Sequence, residues 1–125
     1  MTARVQNAGL ARITAALEAL SWYLQWGTGT GAAATANVVT TTSTTEARAA
    51  ASAAQGTTTV TDDKLVLTGT ITAAGTRAIT EVGAFDAAGS GSPPTGGNMD
   101  IYGDFSTVNL ASGDSIAFTI NTTFS

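Results

Sequence analysis

The sequence contains no cysteine and no histidine. Disulfides, thiolate nucleophiles and thiolate metal ligands are therefore excluded, and with histidine go the usual general base and the commonest metal ligand. Charge is also scarce: five basic and nine acidic residues make up 11% of the chain and leave a net −4. That balance offers no basic face and argues against a nucleic-acid partner. Long apolar runs are missing as well. No stretch approaches a membrane span, and Gln6, Asn7, Arg12 and Glu18 interrupt the start of the chain where a secretory signal would carry a continuous apolar centre. Bulky apolar side chains are few. The 43% hydrophobic fraction is 54 residues, of which 24 are alanine, leaving 30 larger ones. A chain of 125 residues has room for one domain, 1–125, and a core built from so little is expected to be completed by partner chains.

Threonine is as common as alanine, at 24 residues, and with valine and isoleucine it favours pleated strands. One helix is predicted over 7–20, where Leu10, Ile13, Leu17 and Leu20 fall at spacings of three, four and three. Asn7 is its expected N-cap. From Trp22 the period changes to two, with Trp22, Leu24 and Trp26 opposite Tyr23 and Gln25, which predicts an aromatic strand over 22–26. The twenty residues 40–59 hold no large apolar side chain and cannot anchor themselves in a core. Residues 38–60 are therefore expected to form an extended arm or edge strand against neighbouring structure, although 47–54 has helical propensity.

The second half has the clearer pattern. In 64–72, Leu65, Leu67, Gly69 and Ile71 share one face; in 78–86, Ile79, Glu81, Gly83 and Phe85 alternate with Thr80, Val82, Ala84 and Asp86. The short turn 73–76 between them predicts a hairpin. A Gly/Ser/Pro segment, 88–98, is expected to be a mobile loop. Met99, Ile101, Gly103 and Phe105 then face one way, as do Ile116, Phe118, Ile120 and Phe124 after a turn at 110–114. The 64–124 region thus predicts an antiparallel β core, and the fold class is mainly β: an antiparallel β-sandwich or barrel-like domain with one N-terminal helix.

Chemistry has few candidates. Gly27-Thr28-Gly29-Thr30-Gly31 resembles a phosphate loop, but no lysine follows and the glycine spacing fits neither nucleotide fingerprint, so a strand-end turn is expected. The carboxylates Asp62, Asp63, Asp86, Asp100, Asp104 and Asp114 fall at turns or on polar strand faces, where solvation explains them, and no calcium loop is present. No catalytic residue, cofactor or metal is assigned. Trp22, Tyr23 and Trp26 cluster within five positions and support two readings: caps on the core beneath the helix, or anchors in a protein–protein interface.

Several stretches in order carry a family likeness: the helix followed by Gln25-Trp26-Gly27-Thr28-Gly29-Thr30-Gly31, then Glu46-Ala47-Arg48, then Ile79-Thr80-Glu81-Val82-Gly83-Ala84-Phe85-Asp86-Ala87-Ala88, and the ending Ser112-Gly113-Asp114-Ser115-Ile116-Ala117-Phe118-Thr119-Ile120. Over residues 9–124 the chain resembles small virion structural proteins of tailed bacteriophages, of the capsid decoration or cement type. The proline-bearing 90–97 segment departs from that likeness. The resemblance implies a noncatalytic protein on the outer surface of the capsid, assembled in the bacterial host cytoplasm. Its implied partners are the major capsid protein and further copies of itself as a dimer or trimer, with no membrane and no nucleic acid. Interface residues are expected at Trp22, Tyr23, Trp26, Val38, Val39, Thr41, Glu46 and Arg48, with the residues before Leu10. The alternative is a tail or fibre-associated module that binds host-surface glycan through the aromatic cluster or the 90–97 loop.

Overall fold

A computed structural model describes residues 1–29 and 42–125. Helix α1 (Asn7–Glu18) precedes six strands: β1 (Trp22–Gly27), β2 (Ala49–Gly56), β3 (Lys64–Thr72), β4 (Arg77–Phe85), β5 (Met99–Leu110) and β6 (Ser115–Thr123). All ladders are antiparallel, in the order β5-β4-β1-β2-β3-β6, and the sheet curls into a nearly closed barrel. The mainly β, barrel-like class with one N-terminal helix is therefore the observed one.

The helix differs in detail from its sequence pattern. Gln6, not Asn7, occupies the N-cap, and no side chain caps the first turn. Leu10 is buried and Ile13 and Leu17 are half-buried, but the helix stops at Glu18, so Leu20 leaves the stripe and stands 57% exposed. A polar contact supplements the apolar ones. The buried Thr14 hydroxyl donates to Asp62 O at 2.6 Å and accepts from the Gln55 amide at 2.9 Å, tying α1 to the turn after β2.

Residues 49–56 correct the expectation of an arm or edge strand. β2 lies in the middle of the sheet: Ala49 to Ala51 pair with β1, and Ser52 to Gly56 pair with β3. Alanine is a poor strand former, and tertiary context overrides propensity here. Its small side chains let β2 turn the corner between the two halves of the barrel, with Ala49, Ala51 and Ala53 against the core. Gly69 of β3 lies beneath this corner, where a Cβ would sit 3.0 Å from Leu24 Cδ1 and 3.5 Å from Ala50 O.

The predicted hairpin is also corrected. β3 and β4 do not pair; β3 joins β6 and β4 joins β1 and β5. The connection between them crosses from one half of the barrel to the other because Ala73 is buried and bonded to the 110–114 turn, its N–H to Asp114 O at 2.7 Å and its carbonyl from Gly113 N–H at 2.8 Å. An irregularity between Ile79 and Glu81 then breaks strict alternation, so that Ile79 and Val82 both reach the core.

The core gathers Trp22, Leu24 and Trp26 of β1, Leu65, Leu67 and Ile71 of β3, and Ile79, Val82 and Ala84 of β4 with Phe118 of β6. Trp26 meets Phe118 edge-on at 6.4 Å between ring centroids. Such contacts add about 0.5–1.5 kcal/mol to simple burial.

Candidate functional site

Each residue expected at an interface has a definite place, except Val38, Val39 and Thr41, which lie outside the described residues. Trp22 and Trp26 are 4% and 1% exposed, and both are core residues. Their indole N–H groups are used internally, by Leu17 O at 2.8 Å and by the Thr44 hydroxyl at 2.7 Å. Alternation explains this: the face of β1 that carries Trp22, Leu24 and Trp26 points into the barrel. They offer neither an exposed interface anchor nor an aromatic platform for sugar. Tyr23, on the opposite face, is half-buried.

Arg48 and Glu46 are structural as well. Arg48 is 8% exposed and lies over the Phe85 ring, its Cζ 3.8 Å from the centroid. It donates to Gln25 Oε1 at 2.7 Å, Ala87 O at 2.8 Å and Gly96 O at 2.9 Å, while Gln25 donates to Pro94 O at 3.0 Å. Burial pulls the guanidinium below its usual range, and Asp86 acts against that shift. The 88–98 segment is thus hydrogen-bonded through its Pro94 and Gly96 carbonyls to Gln25 and Arg48, over the outer face of β1 and β4. A local bridge between Ser90 and Thr95 and a cis peptide at Ser92–Pro93 complete its turn.

Glu46 joins three parts of the chain. Its carboxylate accepts from the Thr44 hydroxyl, from Ala74 N–H at 2.9 Å and from Arg77 Nε at 2.9 Å, which is also an ion pair. Burial opposes its charge, yet the Thr44, Ala74 and Arg77 bonds together bring its pKa down to about 2.

A second buried carboxylate, Glu81, explains the Gly-Thr-Gly run. It is 2% exposed and accepts from Gly29 N–H at 3.0 Å, from the Thr42 hydroxyl and from the Tyr102 hydroxyl at 2.7 Å. Within the described part of this segment, the oxygen that the Gly29 N–H meets is the protein's own. Burial and the bond to Glu81 push the Tyr102 hydroxyl up to about 12. A side chain at Gly27 would displace the Glu81 carboxylate and the Thr42 hydroxyl from their present places. The burial of Glu81 and of Asp63 was not readable from spacing, which left Asp63 as a solvated carboxylate. Asp63 is 2% exposed and accepts N–H bonds from Thr58, Thr59 and Val60 at 2.7, 3.1 and 3.0 Å, which hold it below the usual carboxylate range.

Two features remain on the surface. Asp86 and Asp100, with Leu20, Ser21 and Trp22, line a cleft of about 110 Å³. The Asn98 amides lower Asp86, whereas burial and the neighbouring Asp86 raise Asp100. Among the described residues no three acidic side chains converge as a metal site. The larger feature lies at the N-terminus. Residues 1–6 belong to no helix or strand and are exposed, including Met1 and Val5, and they border a cleft of about 570 Å³ lined by Ala3, Arg4, Val5, Leu10, Val60 and Ser125. No protein-family model, curated protein or solved structure matches the chain.

Proposed function

We propose that the chain is a noncatalytic virion structural protein that binds and stabilises a bacteriophage capsid shell from its outer surface, as a decoration or cement protein. The observation that carries this reading is the N-terminal segment. An exposed stretch with apolar residues Met1 and Val5, beside a cleft floored by Leu10 and Val60, is suited to lie against another protein and bury what it now shows to water. The polar interior supports the same reading, since Arg48, Glu46, Glu81 and Asp63 each bond to backbone groups and hold loops and turns of the protein itself. What such a protein contributes is buried area repeated over a lattice. Modest affinity at each contact suffices when several contacts are made at once. The partner is the major capsid protein.

The test is deletion of residues 1–6. The shortened protein is expected to remain soluble with an unchanged far-UV spectrum and to lose occupancy on capsids whose decoration sites are vacant. Full occupancy by the shortened protein, or labelling of the intact particle confined to the tail, would overturn the assignment.

A further inference from the structure

Residues 90–96 lie on the barrel with little of their own surface buried. Pro94 is the buried side chain among them, and the other six residues are exposed. The root of the segment is closed by three bonds: Asp86 N–H donates to Asn98 O at 3.1 Å, and Asn98 donates its N–H to Asp86 Oδ1 at 2.8 Å and its side-chain amide to Asp86 Oδ2 at 2.9 Å. The tip is closed on itself, Ser90 and Thr95 exchanging N–H to carbonyl bonds at 3.0 and 2.9 Å. Between root and tip stand Gly89 and Gly97, each at φ +70°, a backbone region that glycine enters without strain. The segment reaches the rest of the chain through Gly96 O on Arg48, Pro94 O on Gln25, and the Ser92 hydroxyl, which donates to Thr45 O at 3.1 Å.

Arg48 holds this segment in an unfavourable way. It is 8% exposed, its three bonded acceptors are the neutral oxygens of Gln25, Ala87 and Gly96, and its Nη2 has no hydrogen-bond partner among the described residues. Neutral acceptors replace the hydration of a buried guanidinium only in part, so lifting the segment exchanges a few hydrogen bonds for water on a cation. The barrel has no part in that exchange, because β1 and β4 keep their ladder and their inward apolar side chains with the segment down or up. We propose that residues 90–96 form a hinged strap that swings as a unit about Gly89 and Gly97 while the barrel stays folded, with Arg48 as its latch. Lifting it breaks the bonds to Pro94 O and Gly96 O and bares the Gln25 amide and the Arg48 guanidinium, which lies 3.8 Å over the Phe85 ring. Segments with few buried apolar contacts open at a small fraction of the free energy that unfolds a core, and the strap buries a single proline.

The test uses the full chain, which has no cysteine of its own, so a single introduced thiol reports one place. Pro94→Cys sets it under the strap and Ala84→Cys sets it in the fully buried core. A thiol-reactive aromatic disulfide is expected to label the Pro94→Cys variant at least about a hundredfold faster than the Ala84→Cys variant. Small additions of urea should speed only the second, since the strap exposes little surface when it lifts. Adding Arg48→Lys should quicken labelling at position 94 by about tenfold, the value of one lost charged hydrogen bond, and leave position 84 slow. The unaltered chain gives a reading that needs no thiol: protection of the Arg48 Nε–H against exchange with water, followed by NMR, should fall well below that of the slowest β3 amides. Equal labelling at the two positions with the same urea dependence would overturn the proposal, as would an Arg48 Nε–H protected as strongly as β3, because the segment would then open only with the whole barrel. A labelling rate at position 94 indifferent to Arg48→Lys would overturn Arg48 as the latch.

Discussion

The β1–β4 side of the barrel and the β6 end are made from the same thin stock of apolar residues, yet they are finished to different degrees. Around β1, both faces of the strand are covered. Leu24, Trp26, Ile79 and Val82 fill the inside, and the outside is sealed by loops held to Arg48 at one end and to Glu81 at the other. At β6, Ile116, Ile120 and Phe124 pack against the core but stay half-buried, while the Phe118 ring meets Phe105 of β5 at 6.0 Å between centroids. A small domain short of bulky side chains cannot seal every face, and this one places both tryptophans and the buried Arg48 and Glu81 on the β1–β4 side.

The largest blow to that contrast is Trp26→Ala. Removing a fully buried indole that meets Phe118 and donates to Thr44 should cost about 3–5 kcal/mol, a large part of the ~5–15 kcal/mol typical of a domain. Urea denaturation measures it directly. Arg48→Met comes next. Methionine keeps much of the packing on Phe85 but strands the carbonyls of Ala87 and Gly96 and the Gln25 amide oxygen, which should cost about 2–4 kcal/mol. Limited proteolysis should then cut first within 87–97, and a cut elsewhere would show that the loop is held by something other than Arg48.

Acid probes the same half more gently. Glu46 is lowered from an ordinary 4.5 to about 2. A carboxylate lowered by folding stabilises the folded state fully above its unfolded value, and that contribution fades as pH falls through the folded one. Thermal midpoints should therefore be flat above about pH 5 and decline steadily toward pH ~2. Glu46→Gln should cost on the order of 1–2 kcal/mol near neutrality, after allowance for screening, and converge on the wild type at low pH. Asp63 and Asp86 are lowered too and act in the same direction, so the variant keeps part of the decline.

Periodicity made much of this fold legible. The β1 alternation, the inward Leu65-Leu67-Ile71 face and the single helix are local patterns, and local patterns survive folding. Pairing was not legible, because it depends on contacts distant in sequence. The 73–76 turn has the length of a hairpin, and only the burial of Ala73 against the 110–114 turn makes it a crossover. β2 was hidden for the opposite reason: a run of alanines carries no period, and its central place follows from smallness at a corner that larger residues would not pass. Arg48 and Glu81 look like ordinary surface charges until the loops that cover them are in place. An interior role for Trp22 and Trp26 was one of two open readings, and chain order alone did not choose between them.

The smallest effect is expected at the β6 end. Ile120 is half-buried on the inner face of β6, so Ile120→Ala removes only part of the apolar area that a sealed position would lose and should cost about 1 kcal/mol in dilute solution. Urea denaturation of the variant beside the wild type measures it. A penalty as large as that of Trp26→Ala in dilute solution would mean that the β6 end is as finished as β1, and the contrast between the halves would disappear.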